Sequence, residues 1–263
     1  MESILKFPRT PHLQGSQLGP GDDDLRQVRF SEIANKPIVV EEKVDGSNCG
    51  ISFDAGGQLR LQSRGHYLTG GPREKQFALL KQWASEQHQR LWGCLADRYL
   101  MYGEWMYAKH TVFYDRLPAY FLEFDVYDRH DEVFLDTSRR QTLLDGTELH
   151  SVPVLHQGLF AHQNDLVSLL KPSRFISETP RESYRGAANA RQEEMPSGKI
   201  ETDFSGMMEG IYIKVEANGV VQSRLKYVRA DFKALVDQSG SHWMSRPLIR
   251  NQLVASGPSK QSL

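Results

Sequence analysis

The chain has very little cysteine, only Cys49 and Cys94 in 263 residues. That excludes a disulfide framework, and the pair lacks zinc-type spacing, so a reducing compartment is the expected setting. Long apolar runs are missing as well. No stretch approaches the ~18–20 apolar residues that span a membrane. The first residues, with Glu2, Lys6, Pro8 and Pro11, do not resemble a signal peptide. A cytoplasmic protein without a membrane segment is therefore expected. Neither sign of charge is in excess. The formal net charge of −1 excludes a uniformly basic nucleic-acid coat but leaves room for a local basic groove. No Gly-x-x-x-x-Gly-Lys-Ser/Thr loop is present, so any phosphate binding must rest on side-chain cations and a metal. There is no internal repeat.

What is present suits a globular protein. Charged residues make up 25% and hydrophobic residues 39%, and the length fits one large domain or one with a small appendage. The most informative stretch is Lys43-Val44-Asp45-Gly46-Ser47-Asn48. It follows Pro37-Ile38-Val39-Val40-Glu41-Glu42, which reads as a short strand ended by an Asp-Gly turn. A lysine is thereby set at a strand end, beside a glycine that permits close approach. It is either a nucleophile or a solvated lysine on an ordinary hairpin turn.

Residues 1–25 are broken by proline and glycine. Arg9-Thr10-Pro11-His12 is either a surface arm or a set of donors reaching into a site, and Asp22-Asp23-Asp24 is a solvated acidic turn or a helix start. Residues 49–54 and 58–63 read as strands around Gly56-Gly57, which leaves Arg64 at a strand end. Residues 72–92 read as a helix with Phe77, Leu80, Ala84 and Leu91 inward. Two further apolar strands carry acids: 98–107 with Glu104, and 119–128 with Glu123 and Asp125. Alternation puts Phe121, Glu123 and Asp125 on one face, suited to a ligand, and Leu122, Phe124 and Val126 on a core face. Short helices are expected on either side of Val152-Pro153-Val154. Residues 171–200 form a polar excursion, partly helical or mobile. Residues 208–216 and 220–229 make a hairpin about Asn218-Gly219 that carries Glu209, Lys214 and Lys226. From Arg224 onward there are seven Lys/Arg against two Asp, a basic tail expected to dock.

Lys43, Arg64, Glu104, Phe121, Glu209, Lys214 and Lys226 thus fall at or near strand ends. Cations suit a triphosphate, carboxylates suit ribose hydroxyls or a metal, and an aromatic suits a base. A lysine nucleophile is weak near its reference pKa of about 10.4. Lys214 or Lys226 nearby is expected to lower that value.

These segments resemble, in order, the motifs of the covalent nucleotidyltransferase superfamily, which contains ATP-dependent RNA and DNA ligases and mRNA capping enzymes. Lys43-Val-Asp-Gly-Ser-Asn is similar to the first motif and Ser63-Arg64-Gly65 to the next. Tyr102-Gly-Glu-Trp resembles the third, and Phe121-Leu-Glu-Phe-Asp the element after it. Glu209-Gly-Ile-Tyr-Ile-Lys214 is similar to the fourth and Leu225-Lys226-Tyr to the fifth. Ser47-Asn48 resembles the RNA-ligase branch, within it the phage type that seals nicks in duplex RNA; DNA ligases usually have arginine at the position of Asn48.

The resemblance implies an α+β, ATP-grasp-like nucleotidyltransferase fold with antiparallel sheets flanked by helices. It would cover residues 1–230, followed by a short basic tail at 231–263. It implies ATP and Mg2+ (or Mn2+) as cofactors and Lys43 as the carrier of AMP. Glu104 would hold the ribose, Phe121 would stack on adenine, and Glu209 would act in metal-assisted chemistry. Lys214 and Lys226 would contact phosphates, and Arg64 the AMP phosphate or an RNA 5′-phosphate. The implied partner is RNA with 5′-phosphate and 3′-hydroxyl ends, prepared by an end-healing kinase and phosphatase, with the protein acting as a monomer. The alternatives are a DNA ligase or capping enzyme, an adenylyltransferase with another acceptor, and a non-catalytic nucleotide- or RNA-binding module. The stretch after Lys226 is shorter than a full oligonucleotide-fold domain, so the tail, the excursion or another protein is expected to grip RNA.

Overall fold

Strands form where the sequence concentrates β-branched and aromatic residues. In this computed structural model, which describes residues 3–18, 22, 25–189, 202–238 and 248–254, they are β1 (His12–Leu13), β2 (Gln27–Val28), β3 (Ile38–Lys43), β4 (Ser47–Phe53), β5 (Leu59–Ser63), β6 (Tyr99–Trp105), β7 (Phe121–Asp128), β8 (Val133–Phe134), β9 (His150–Ser151), β10 (Val154–Gly158), β11 (Gly210–Ala217) and β12 (Val220–Val228). The α-helices are α1 (Ala78–Glu86), α2 (His88–Leu95), α3 (Thr137–Leu144), α4 (Gln163–Val167), α5 (Pro180–Asn189) and α6 (Ala230–Gln238). One sheet runs β10-β3-β11-β12-β1-β2 and the other β5-β4-β6-β7-β8, with β9 beside β7. Pairing is antiparallel except where β1 meets β12 and β2, and where β9 meets β7. The α+β class with antiparallel sheets holds.

Alternation along the first sheet decides what each face does. Val40, Ile211, Ile213 and Leu225 join Leu166 of α4 in one apolar cluster. The residues between them, Glu41, Lys43, Tyr212, Lys214, Arg224 and Lys226, therefore point to the opposite side, toward the second sheet. The second sheet packs Ile51, Phe53 and Met101 against Leu80 of α1 and Leu91 of α2. Between the sheets lies a third cluster with Val44, Tyr102, Met106, Tyr114, Leu122 and Phe124.

The site is positioned by the crossing from β3 to β4. These strands do not pair; they belong to different sheets, so Lys43 does not sit on an ordinary hairpin turn. Residues 44–46 pass from one sheet to the other. A Cβ on Gly46 would stand 2.6 Å from Met106 Sδ and 3.1 Å from the Trp105 carbonyl, so the crossing can lie this close to β6 only with glycine. Asp45 pins it. Its Oδ2 accepts from the backbone N–H of Thr111 at 2.7 Å and of Val112 at 2.9 Å, and its own N–H donates to the Tyr114 hydroxyl at 2.9 Å.

One further expectation meets the structure differently. The helix over 72–92 is a 3-10 turn (Pro72–Phe77) followed by α1 and α2, broken at Gln87. Just after the break the ring of His88 stands edge-on to Phe53, with Nε2 3.2 Å from the Gly57 carbonyl. Of the excursion, α5 is described and residues 190–201 lie outside the described residues. So do 239–247, with Trp243, and 255–263. The piece of tail at 248–254 is packed down: Asn251 is buried, donates to the Met106 carbonyl at 2.7 Å and accepts from the Tyr114 N–H at 3.0 Å.

Candidate active site

The antiparallel register of the first sheet assembles one wall of a cleft. Lys43 pairs with Gly210, so Glu209 at the head of β11 reaches the lysine, with Oε2 2.7 Å from Nζ. One step along, Glu41, Tyr212, Lys226 and His12 stand in a row across β3, β11, β12 and β1. The second sheet supplies Asn48 and Glu104, which are register partners on β4 and β6, and Arg64 just past β5. Phe7, Pro8 and Thr10 of the N-terminal arm, with Phe124 and Val152, complete the lining of about 670 Å³ of open space.

Carboxylates dominate the surroundings of Lys43. Burial pulls its pKa down, but Glu209, Glu104 and Asp45 outweigh burial and hold the amine above its ordinary value. The expectation of a lowered lysine is thus corrected. Lys214 lies elsewhere, and Lys226 is paired with Asp22 at 2.6 Å. The acids move the opposite way: burial pushes Glu104 up to about 8 and Glu209 up to about 7, against the pull of Lys43. Glu104 Oε2 is buried with no hydrogen-bond partner among the described residues. Such an atom costs free energy until a ligand satisfies it, and a ribose hydroxyl is a suitable donor.

Of the seven residues singled out from sequence, Lys43, Arg64, Glu104 and Lys226 line the cleft, and Glu209 is bonded to Lys43. Two are placed elsewhere. The amine of Lys214 is buried against the Phe124 carbonyl, Glu41 Oε2 at 2.9 Å and Asp125 Oδ1 at 3.3 Å. It neutralises acids that would otherwise be buried without a counterion, so it does not face the cleft. Phe121 is in the core, stacked on Trp83 at 5.5 Å, over Gly103, where a Cβ would stand 2.5 Å from the ring. The aromatic side chains that line the cleft are Phe7, Phe124 and Tyr212. β7 carries a bulge: Tyr102 pairs with Asp125 and Gly103 with Glu123, leaving Phe124 as the extra residue.

Sequence reasoning missed Phe124, Tyr212, Phe7 and Asp22. Tyr212 had a signal, since Ile211 and Ile213 on the apolar face leave it on the other. Phe124 had half of one: alternation separates it from Phe121 but does not say which face is the cleft. Asp22, in an irregular segment, had none.

No three His, Cys, Asp or Glu side chains among the described residues cluster as a metal cage. Magnesium keeps most of its waters and needs only one or two carboxylates besides phosphates. Glu209, bonded to Lys43 at the cleft, is a carboxylate that could hold such a cation.

A lysine at the join of two antiparallel sheets, ringed by acids and cations over an aromatic-walled cleft, is the architecture of the nucleotidyltransferases. Within that class the chain belongs to the RNA ligase family, whose model matches residues 36–228. Solved structures agree in fold. An RNA ligase of Naegleria gruberi bound to ATP and manganese superposes with a TM-score of 0.53 at 16% identity, over 88% of this chain and 58% of that one. The same organism's ligase with AMP and manganese gives 0.54 at 15%, over 88% and 57%. An archaeal ATP-dependent RNA ligase gives 0.50 at 16%, over 87% and 49%. The chain therefore spans roughly half the length of these ligases. No curated protein matches its sequence.

Proposed function

We propose that the protein is an ATP-dependent RNA ligase in which Lys43 carries AMP. The observation that carries this reading is the Lys43–Glu209 pair at a cleft also lined by Arg64, Glu104, Phe124 and Lys226; membership of the RNA ligase family supports it. The Lys43 amine, once deprotonated, attacks the α-phosphorus of ATP. An N–P bond forms, the P–O bond to pyrophosphate breaks, and pyrophosphate leaves. AMP then passes to an RNA 5′-phosphate and frees Lys43. A 3′-hydroxyl finally displaces AMP to make the phosphodiester. Phe124 stacks on adenine, Glu104 takes the ribose, and Arg64 and Lys226 hold phosphates. A magnesium or manganese ion, when bound, would neutralise charge developing on the phosphates, with Glu209 as its protein ligand.

In the same reading residues 1–230 are the catalytic domain and the stretch from 231 an appendage. The ends joined are those that an end-healing kinase and phosphatase leave, and the protein works as a cytoplasmic monomer, which a sizing column tests for assembly state. Among the described residues no helix is long and apolar enough to cross a membrane.

The test begins with labelled nucleotide. ATP is expected to label the protein covalently, and Lys43→Ala to abolish the label while circular dichroism is unchanged. A Lys43→Ala protein still labelled on the same peptide would remove Lys43 from its role. Label from GTP but not ATP would indicate a capping enzyme, and no label at all a binding module. Labelled 5′-phosphate RNA, as a splinted nick and as single strands, is then compared with matched DNA. Sealing of DNA alone would overturn the RNA assignment.

A further inference from the structure

Lys226 is a tethered cation. Its Nζ donates to Asp22 Oδ2 at 2.6 Å, a contact between the N-terminal arm and β12. The same oxygen lies 2.9 Å from His12 Nε2, and His12 Nδ1 lies 2.7 Å from Ser16 Oγ. Ser16 Oγ in turn accepts from the backbone N–H of Val228 at 2.9 Å. Lys226 and Val228 are both on β12, so these bonds form a closed circuit that begins and ends on one strand.

The protons set its direction. The Asp22 carboxylate can only accept, so His12 Nε2 carries the hydrogen given to it. In the neutral imidazole Nδ1 is then the acceptor, so Ser16 sends it the hydroxyl hydrogen while accepting from the Val228 N–H. Burial lowers the pKa of His12, which favours this neutral form. Arg9 stands 3.7 Å from the other carboxylate oxygen. The backbone fixes the same register: His12 pairs with Lys226 across β1 and β12, and the Lys226 N–H donates to the Pro11 carbonyl at 2.9 Å.

We propose that Asp22 is a positioning residue for Lys226, braced by His12 and Ser16; this rests on reading Lys226 as a phosphate contact of the cleft. An ammonium on a four-carbon stem has three donors and no fixed direction. Asp22 takes one donor and leaves the other two for the cleft that Lys226 lines. A carboxylate so near incoming phosphates would repel them if its charge were free; here that charge is spent on Lys226, His12 and Arg9. Asp22 also protects the charge of Lys226. Burial, with nearby Lys43, holds this amine below its ordinary value, and Asp22, with Glu209 farther off, limits that fall without cancelling it.

A double-mutant cycle on lysyl-AMP formation tests this, with single turnovers at saturating ATP. Asp22→Asn keeps the shape and removes the charge; Lys226→Met removes the amine and keeps the bulk. Asp22→Asn is expected to slow the step about tenfold alone and less than about twofold in the Lys226→Met background, where nothing remains to position. His12→Gln is expected to slow it less, and again only while Lys226 is present. A full tenfold effect of Asp22→Asn in the Lys226→Met background overturns the proposal. Asp22→Asn at the wild-type rate, with Lys226→Met slowed, also overturns it and leaves the phosphate role of Lys226 standing. Lys226→Met at the wild-type rate removes that role, and the proposal with it. Circular dichroism and thermal unfolding accompany every variant, and where Asp22→Asn does not fold, His12→Gln carries the cycle.

Discussion

Lys43 is stored as an ammonium by the acids around it. Burial would strip the proton, yet Glu209, Glu104 and Asp45 keep it on. Because the amine sits above its ordinary value, the free-amine fraction keeps growing with pH beyond neutrality, about tenfold per pH unit. The initial rate of AMP attachment is therefore expected to rise steeply from about pH 6 to about pH 9 in pulse labelling with ATP; a flat profile would contradict the stored ammonium. The two phenylalanines of β7 separate equally clearly. Phe124→Ala is expected to raise the KM for ATP about tenfold, since base stacking contributes roughly 1–3 kcal/mol. Phe121→Ala is expected to cost about 3–5 kcal/mol of stability in urea unfolding, by leaving a cavity against Trp83, with a small effect on KM. Alternation separated the two residues and grouped Phe121 with Glu123 and Asp125 on the face read as a ligand face; the bulge in β7 breaks that alternation and leaves Phe121 in the core and Phe124 on the cleft.

At the scale of elements, α3 joins the two sheets. Its Arg140 bonds Glu41 of β3 and Glu123 of β7, the latter at 3.1 Å, and donates to the Phe124 carbonyl. Its N-cap Asp136 accepts from the Arg139 N–H at 2.9 Å, and Thr137 Oγ1 donates to Glu216 of β11 at 2.7 Å. Arg140→Met is expected to destabilise the fold by about 3–5 kcal/mol in denaturant titration, because it removes the guanidinium from buried Glu123 and leaves buried Glu41 with Lys214 alone. A loss below about 1 kcal/mol would mean those acids find other partners or protons. Helix α3 was roughly legible from its pattern, but its clamp was not. The hairpin of β11 and β12 was legible outright: Asn218 and Gly219 take φ values of 55° and 80°, the left-handed turn their side chains allow. The crossing from β3 to β4 was not. Asp-Gly reads the same locally whether the flanking strands pair or part, and the parting is decided by the pairing of β3 with β11, far along the chain.

For the whole molecule, buried acids set the response to pH. Burial pushes Glu42 up to about 7, opposed by Ser173 and Arg174, and it pushes Glu209 to about 7 and Glu104 to about 8. Each ordinarily titrates near 4.5. Between that value and the raised one the folded state binds more protons than the unfolded chain, so stability falls as pH rises through the window and levels off above it. Thermal unfolding of the ligand-free protein is expected to show Tm declining from about pH 5 to about pH 8. Glu42→Gln is expected to remove roughly 3 kcal/mol of that decline, and a Tm that rises over this range would reverse the assignment. Against burial, Lys226 and His12 hold Asp22 low, and Arg98 holds Asp128 low; these contributions are lost only at more acid pH, outside the window. The N-terminal arm belongs to this scale too. The Leu5 carbonyl accepts from Tyr102 and Gln62 of the second sheet, both at 2.8 Å, while Thr10 Oγ1 lies 2.9 Å from the Tyr212 hydroxyl of the first.

The sequence by itself determined the chemical inventory. A lysine at a strand end, acids inside apolar strands and a basic hairpin are local patterns, and the order of the segments points to one family. Tertiary structure alone decided which of these groups meet. It put Lys226 on the cleft and sank Lys214 among acids, turned Phe124 rather than Phe121 to the open side, made the Lys43 turn a bridge between sheets, and brought Asp22 to Lys226. The physical reason is that a period of two assigns side chains to two faces without saying what covers each. That is settled by how the sheets pack, by one bulge in β7, and by contacts between residues some two hundred positions apart.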